Sequence, residues 1–338
     1  MPRHKKAEEI DTKEVSTEED RPVLAPIGID IEALVNAVKG KYGKKEKNLI
    51  DDLTTGNNIR LSDEDDDYVL SKEIQDWWQP LTGVRGSPYG RIIQIAGKAD
   101  SGKSSTAMMF MKAAQETGAL VILWDSEKKF GMRRYETHIG GDSSSLAISR
   151  SKNILEGAKQ VAGFVRAAKE QNPDIKILIV WDSVGATMNS AEDDDDDDYS
   201  KQPGVTAKQV TWAIKKFNKL IERYRNAETG KETIACLCVN QVYQLIGTPG
   251  TKEKGGEELY YLSSIILQLT RKKDLHRVRQ GQKVKYGILT RAKVKKNHLF
   301  DGEECIAELD LVVSSDGIHL ATEVKAKSDI TGWDDAEE

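Results

Sequence analysis

The sequence predicts an α/β fold in which helices cover both faces of a mostly parallel sheet that antiparallel strands extend. Near-continuous apolar runs, typical of strands buried on both faces, lie at 119–124, 175–181 and 233–239. Helical patterns separate them, at 154–168 and from about Thr206 onward. Beyond Ser264 the helical patterns end, and three strand-like segments follow at 265–270, 284–290 and 306–313.

Composition divides the chain into four segments. We predict a charged, disordered tail at 1–26 and a short amphipathic helix from Ile31 to Gly40 within the segment 27–70. That second segment also holds a lone strand near 48–53 and an acidic linker. The core spans 71–325, and an acidic tail follows at 326–338.

The overall composition restricts the classes of function. The net charge of −5 means that any nucleic-acid binding must come from a local basic patch. Three cysteines without metal-ligand spacing are typical of buried, reduced thiols, and the five histidines are scattered. Because the longest apolar run is shorter than 18 residues, we expect no membrane span.

The most informative motif is Gly-Lys-Ala-Asp-Ser-Gly-Lys-Ser at 97–104. A strand-like run precedes it and a helical run follows, which is the context of a phosphate-binding loop. Its backbone N–H groups can surround phosphate oxygens, while Lys103 reaches the β- and γ-phosphates and Ser104 contributes to a Mg²⁺ site. An accidental glycine loop is the alternative, and the strand and helix around the motif disfavour it.

Acids and amides at strand ends form the rest of the predicted site. Asp182 ends an apolar strand and could hold Mg²⁺, or could simply begin a turn. Glu127 could polarise the attacking water, a role for which Asp125 competes. Gln241, after the strand at 233–239, could hydrogen-bond the γ-phosphate; an ordinary polar strand end is the alternative.

Together these elements resemble the RecA-type DNA recombinases over roughly residues 30–320. The run Trp124-Asp125-Ser126-Glu127 is most similar to the phage UvsX-like branch. The resemblance implies a RecA-like P-loop ATPase core with ATP and Mg²⁺, the catalytic residues Glu127, Lys103 and Gln241, and the metal ligands Ser104 and Asp182.

The resemblance also implies a wider set of nucleotide contacts. In the family a tyrosine seven residues after the catalytic acid stacks on adenine; here that position holds Arg134, and Tyr135 is one place later. A Lys-x-Lys pair from the next subunit reaches the γ-phosphate, and Lys296-Asn297-His298 stands in its place. The predicted contacts are Gly97, Lys98, Ala99, Asp100, Ser101, Gly102, Lys103, Ser104, Ser105, Tyr135, Asp182, Lys296 and His298.

Two loops should face DNA if the resemblance holds. The second, 242–256, contains apolar residues that have no core to enter and a pair of glycines that can approach phosphate; a flexible surface loop is the alternative. The first contains six aspartates at 193–198, which would repel phosphate. The predicted DNA contacts are Lys208, Thr211, Lys215, Leu245, Ile246, Gly247, Gly255 and Gly256.

A basic segment at 271–296 contains eleven lysines and arginines and one acid, Asp274. Arg291, Lys293 and Lys295 alternate along a predicted strand and should share one face. Such a patch indicates an anionic partner, which could be DNA or the ATP phosphates of a neighbouring subunit.

The expected function is a DNA-dependent ATPase in the cytoplasm of a bacterial or phage-infected cell. It would form homo-oligomeric filaments on single-stranded DNA and promote strand exchange with double-stranded DNA. The helix and strand within 31–53 would dock on the neighbouring core. The alternatives are a hexameric helicase or loader motor, and an ATP-switched DNA-binding filament protein with little turnover.

Overall fold

The computed structural model describes most of the predicted core. The described residues are 28–42, 68–69, 71–189, 204–244, 251–253, 256–300 and 305–322. The predicted charged tail, the strand near 48–53, the acidic linker at 63–67 and the acidic tail at 326–338 lie outside them.

Seven helices and twelve strands are assigned within these residues. The helices are α1 (Ile31–Tyr42), α2 (Lys72–Thr82), α3 (Lys103–Glu116), α4 (Met132–Arg134), α5 (Ile154–Gln171), α6 (Val205–Arg223) and α7 (Glu257–Leu262). The strands are β1 (Tyr68–Val69), β2 (Ser87–Pro88), β3 (Ile92–Gly97), β4 (Leu120–Asp125), β5 (Leu146–Ser149), β6 (Ile177–Asp182), β7 (Ile234–Gln244), β8 (Thr251–Glu253), β9 (Ser263–Arg279), β10 (Gln282–Asn297), β11 (Glu308–Ser314) and β12 (Gly317–Leu320). None of these helices is long and apolar enough to cross a membrane.

One mixed sheet organises the molecule and confirms the predicted α/β class. Its strand order is β12-β11-β10-β9-β3-β7-β6-β4-β5, and β8 pairs with the outer part of β7. The strands from β9 to β5 run parallel, whereas β10, β11 and β12 continue the sheet in antiparallel fashion. The parallel strands therefore all end at one edge.

Alternate residues of the parallel strands face two separate hydrophobic cores. On β6, Leu178 and Val180 contribute to one core with α2 and α3, while Ile177 and Ile179 contribute to the other with α5 and α6. Burial on both faces explains why these strands show no polar alternation in the sequence.

A helix that the sequence reading missed, α2, covers the first core. Ser71 caps it by accepting a hydrogen bond from the backbone N–H of Ile74. Its buried residues Ile74, Trp77, Trp78 and Leu81 follow helical spacing, and Trp78 stacks edge-on against Phe110 of α3. That spacing, with a serine before it, was the available signal for this helix.

Helix α1 packs on its own chain. Leu34 is fully buried in the core that α5 lines, and the backbone N–H of Asp30 donates to the Gln171 side chain at 3.1 Å. Leu34 is therefore covered by residues of its own chain and is not available for docking on a neighbouring core.

The basic segment forms a long hairpin of β9 and β10. Arg291, predicted to serve an anionic partner, instead pairs with Glu308 and Asp310 on the adjacent β11. Its guanidinium bonds to Asp310 at 2.8 and 3.2 Å. The composition of the basic segment alone could not reveal this pairing, because the carboxylates belong to the neighbouring strand β11.

Candidate nucleotide and DNA site

The phosphate loop lies where β3 ends and α3 begins. A Cβ on Gly97 would come within 2.5 Å of Ser101 Oγ and 2.6 Å of the Leu269 carbonyl oxygen. Gly102 has a φ of +96°, which side chains rarely adopt, and a Cβ there would meet Val313 at 2.9 Å. Glycine at both positions therefore keeps the loop closely packed on β9 and β11.

Lys103 lies in this loop beneath the expected phosphate position. Its ammonium donates a hydrogen bond of 2.6 Å to the Lys98 carbonyl, and the residue as a whole is 8% exposed. Burial lowers the pKa of Lys103, while the charges of Asp182 and Glu127 act in the opposite direction. The loop itself is anchored to the sheet, because Thr290 of β10 donates to the Ser101 carbonyl at 2.9 Å.

Strand register brings the predicted groups together at the carboxyl edge of the sheet. Gly97 pairs with Gln241 on β7, and Asp182 on β6 pairs with Asp125 on β4. Because β3, β7, β6 and β4 are consecutive neighbours, the phosphate loop, the amide and both acids line one edge.

Asp182 and Ser104 meet beside Lys103. The pKa of Asp182 is raised to about 6, chiefly by burial and also by the nearby Glu127 and Asp125, although a hydrogen bond from Ser104 and the charge of Lys103 act to lower it. A carboxylate so disfavoured by burial and by other acids is one that a divalent cation would stabilise. The oxygen donors present therefore fit the Mg²⁺ that the sequence predicted.

Glu127 is held by three side chains. Its Oε1 accepts from Ser183 Oγ at 2.7 Å and from Gln241 Nε2 at 3.1 Å, and its Oε2 accepts from Lys129 at 2.8 Å. Burial would raise the pKa of Glu127, but the hydrogen bonds from Lys129, Ser183 and Gln241 lower it below the ordinary value. The carboxylate is therefore ionised and oriented, as a residue that positions water requires.

Asp125 has a different environment. One of its oxygens accepts from the backbone N–H of Lys129 and the other from that of Phe130, each at 3.1 Å, and the residue is 3% exposed. The structure thus places Asp125 under the loop that carries Glu127. This arrangement favours Glu127 over Asp125 for the catalytic role.

Ser126 ties this loop to β6, a role that the sequence reading did not assign. Its hydroxyl donates to the Ser183 carbonyl at 2.9 Å and accepts from the Ser183 backbone N–H at 3.1 Å. Ser126 is 1% exposed. No motif marks such a bridge, because its partner is 57 residues away along the chain.

Tyr135 does not lie at the nucleotide site. Its ring is fully buried beside Phe130, and its hydroxyl donates to the Gln115 side chain at 2.7 Å. The prediction that it stacks on adenine is therefore inconsistent with this structure, because no face of the ring is accessible. Arg134 instead lies near the phosphate loop, where its guanidinium donates to Ser105 Oγ at 2.9 Å.

Lys296 and His298 lie away from the phosphate loop of their own chain. Lys296 on β10 is in register with Ile266 of β9, and the backbone N–H of His298 donates to the Ser264 carbonyl of β9. Both partners lie beside the amino-terminal half of β3, whereas the phosphate loop follows the carboxyl end of β3. The Lys296 ammonium donates to the carbonyls of Tyr260 and Tyr261 at 2.6 and 3.0 Å. His298 is exposed.

The predicted DNA residues that are described lie close together. Lys208, Thr211 and Lys215 follow helical spacing on one side of α6, and Lys215 pairs with Glu258 of α7 at 3.4 Å. A Cβ on Gly256 would lie 3.2 Å from Ala207, so the start of α7 adjoins the start of α6. Outside the described residues lie Leu245, Ile246, Gly247, Gly255 and the aspartates at 193–198.

The loop that is predicted to contact DNA begins directly after Gln241. Strand β7 continues past Gln241, and Val242 to Gln244 pair with β8 as an antiparallel hairpin. The sequence predicted a loop here, whereas the structure extends the strand. Gln241 therefore lies on the same strand as the base of this hairpin.

The family of the chain follows from a comparison with known proteins. The RecA N-terminal domain family matches residues 70–319, which is most of the chain. The chain belongs to the RecA family. It is 29% identical over 245 residues to Protein RecA of Chlorobaculum parvum and 30% identical over 233 residues to that of Macrococcus caseolyticus.

Coverage of these RecA relatives is partial. The two alignments cover 72% and 68% of this chain, but only 64% and 60% of the relatives. A third, to Protein RecA of Chlorobaculum tepidum, is 26% identical and covers 84% of this chain and 75% of that protein. The chain thus spans less than two thirds of the first two RecA proteins.

Proposed function

We propose that this protein is a DNA-dependent ATPase that forms filaments on single-stranded DNA and promotes strand exchange. The observation that carries the proposal is the Glu127 carboxylate, held by Ser183, Gln241 and Lys129 next to Lys103 of the phosphate loop. An oriented acid beside a phosphate loop is the arrangement that hydrolysis of a nucleoside triphosphate needs.

Each side chain has a defined task in this proposal. Glu127 would orient water toward the terminal phosphate of ATP, and Lys103 would leave the Lys98 carbonyl to contact the phosphates. Ser104 and Asp182 would hold Mg²⁺, which when bound neutralises charge on the phosphate oxygens. Gln241 would exchange its hydrogen bond to Glu127 for one to the γ-phosphate.

The path from nucleotide to DNA would run along β7. Gln241 and the base of the β7–β8 hairpin are consecutive on one strand, so a shift of Gln241 moves the hairpin. We propose that this hairpin and the segment that joins its two strands in the sequence, which includes Ile246, contact single-stranded DNA only when nucleotide holds Gln241 in place.

The exposed side of α6 supports DNA binding next to that hairpin. Lys208 and Lys215 are exposed there, and the ring of Trp212 is 38% exposed with the Lys216 ammonium 4.7 Å above it. Cations beside an accessible aromatic ring suit phosphates and unstacked bases. The sequence reading assigned no role to Trp212, although it lies between Thr211 and Lys215.

We also propose that ATP is bound between adjacent copies of the chain. Lys296 and His298 lie toward the edge of the sheet opposite the phosphate loop, so contact between them and the phosphates would require a second copy, and Lys296 would first have to leave the Tyr260 and Tyr261 carbonyls. The similarity of Trp124-Asp125-Ser126-Glu127 to the phage UvsX-like branch, and a cytoplasmic location, remain parts of this proposal.

Substitution of Glu127 tests the catalytic assignment. We expect Glu127→Gln to lower DNA-stimulated phosphate release by about a hundredfold or more, because glutamine cannot accept a proton. Filaments on single-stranded DNA should persist with a non-hydrolysable ATP analogue, as seen by electron microscopy. Glu170→Gln, at an exposed position on α5, is the control.

The outcomes separate the proposal from its rivals. Closed rings in place of open helices would favour the helicase or loader motor, and absence of DNA-stimulated phosphate release from the unaltered protein would favour the ATP-switched binding protein. Loss of filaments in Glu127→Gln would contradict the role given to Glu127. Ile246→Ala should weaken DNA binding without affecting ATP binding in the absence of DNA.

A further inference from the structure

Lys129 forms an exposed ion pair with Glu127, the acid that is predicted to activate water. Its ammonium lies 2.8 Å from Glu127 Oε2, although 79% of the Lys129 side chain is exposed. Exposed ion pairs add little to the stability of a fold, because water screens them and two side chains lose freedom. The position of this charge is therefore better explained by what the site binds than by what stabilises the chain.

The backbone of Lys129 is fixed even though its side chain reaches solvent. The backbone N–H of Lys129 donates to Asp125 Oδ1 at 3.1 Å, and that of Lys128 donates to the Asp125 carbonyl at 3.3 Å. Asp125 is buried, so it ties this turn to the end of β4. The Lys129 side chain therefore starts from a defined point beside Glu127, and its own rotation sets where the ammonium lies.

Lys129 also lies within electrostatic range of both sides of the expected phosphate position. The hydrogen bond and the charge of Glu127 raise the pKa of Lys129, and the charges of Asp100 and Asp182 raise it further. Asp100 belongs to the phosphate loop and Asp182 ends β6. An ammonium that these three acids influence lies close to the place where a terminal phosphate would be.

The balance of charge at the site favours a cation at this point. Asp125, Glu127 and Asp182 act electrostatically on one another, and the buried ammonium of Lys103 acts against them. A nucleoside triphosphate adds negative charge next to Glu127, and the two would repel each other. A second ammonium between the carboxylate and the phosphate would turn that repulsion into attraction on both sides.

The hydrogen bonds of Glu127 leave room for such a bridge. Its Oε1 accepts from Ser183 and Gln241, whereas its Oε2 accepts from Lys129. Among the described residues the Lys129 ammonium has no second acceptor, so two of its three N–H donors can reach a ligand. We propose that Lys129 is a catalytic cation that bridges Glu127 Oε2 and the terminal phosphate of bound ATP.

This inference rests on the proposed ATPase function and names a further residue of the same chain that the reaction uses. The water oxygen forms a bond to the γ-phosphorus while the bond from that phosphorus to the β–γ bridging oxygen breaks. The electron pair of the broken bond leaves with ADP, and the water gives a proton to Glu127. Lys129 keeps its proton and neutralises charge on the oxygens of the transferred phosphoryl group.

Steady-state phosphate release by the full chain, with single-stranded DNA and saturating Mg²⁺-ATP, tests this proposal. Lys129→Ala should lower kcat by about tenfold, less than the hundredfold typical of a buried donor, because water screens an exposed ammonium. The KM for ATP, and the affinity for a non-hydrolysable ATP analogue, should stay within about threefold of the unaltered values, because the contact strengthens only in the transition state.

Three further variants separate this role from its alternatives. Lys129→Arg keeps a cation and should restore kcat to within about threefold. Lys128→Asn is the matched control: it removes the adjacent exposed charge, and asparagine tolerates the φ of +55° at that position. In a Glu127→Gln background Lys129→Ala should lower the residual rate again, because the ammonium acts on the phosphate as well as on Glu127.

Several results would overturn the inference. An unchanged or higher kcat in Lys129→Ala would show that the lysine is idle or restrains Glu127. A change confined to KM would reduce it to attraction of the nucleotide, and an equal loss in Lys128→Asn would reduce it to general charge. Failure of arginine to restore kcat, or no added loss beside Glu127→Gln, would also exclude contact with the phosphate. No phosphate release by the unaltered protein would instead refute the proposed function itself.

Discussion

Asp125 and Glu127 are two acids on one short segment, and the structure gives them separable tasks. Asp125 accepts hydrogen bonds from two backbone N–H groups, whereas Glu127 accepts from three side chains at the site. Asp125→Asn should therefore leave phosphate release within about tenfold of the unaltered rate, while Glu127→Gln loses about a hundredfold or more.

The free energy of unfolding should rank the two positions in the opposite order, with the larger loss of stability at Asp125. A hydrogen bond to a charged group contributes about 1.5 to 3 kcal/mol, and water can reach part of the loop at Lys129. We therefore expect Asp125→Ala to lower the free energy of unfolding by about 3 kcal/mol. Asp125→Asn, which keeps one acceptor oxygen, should lose about half of that.

Urea unfolding followed by tryptophan fluorescence gives the stabilities, and DNA-stimulated phosphate release gives the rates. A folded Asp125→Asn protein as inactive as Glu127→Gln would refute the division of roles. An Asp125→Ala protein as stable as the unaltered one would refute the structural role of the two hydrogen bonds.

Three more changes test the packing and burial of side chains in the core. Gly157→Ala places a Cβ within 2.1 Å of the Trp124 ring, so it should cost about 1 to 3 kcal/mol in urea unfolding; an unchanged midpoint would contradict that contact. Lys169 is buried and burial lowers its pKa to about 8, so between pH 8 and 10.5 the unfolded state binds more protons. The stability of the unaltered protein relative to Lys169→Met should therefore rise across that range, by at most about 3 kcal/mol, and a flat difference would exclude the shift. Tyr135→Leu should lower stability by about 2 to 4 kcal/mol without weakening ATP binding, whereas a selective loss of ATP affinity would restore the adenine-stacking role.

Much of the parallel core could be predicted because burial on both faces leaves an unambiguous pattern. The runs that became β4, β6 and β7 are near-continuous and apolar. Strand β6 ends at Asp182, Gln241 follows the apolar part of β7, and Glu127 lies two residues beyond the end of β4. Sheet topology then brings Asp182 and Gln241 to the phosphate loop, because parallel strands share one carboxyl edge.

The remaining contacts depend on tertiary structure. The hydrogen bond from the Thr290 hydroxyl to the Ser101 carbonyl joins residues 189 positions apart, and no local sequence pattern predicts it. Tyr135 was assigned to adenine because it is close in sequence to a family position, but the one-residue offset places its side chain in the core and places Arg134 beside the phosphate loop. The sequence did not specify which of the adjacent side chains, Arg134 or Tyr135, points into the core and which points toward the phosphate loop.

Strand β7 has a consequence for the energetics of the molecule. It is hydrogen-bonded to β3 as far as Gln241 and to β8 from Val242, with no break between the two. A ligand that binds the hairpin and a ligand that binds Gln241 would therefore each shift the conformational equilibrium of the same strand, β7. By thermodynamic linkage, the factor by which one ligand raises affinity for the other is the same in both directions.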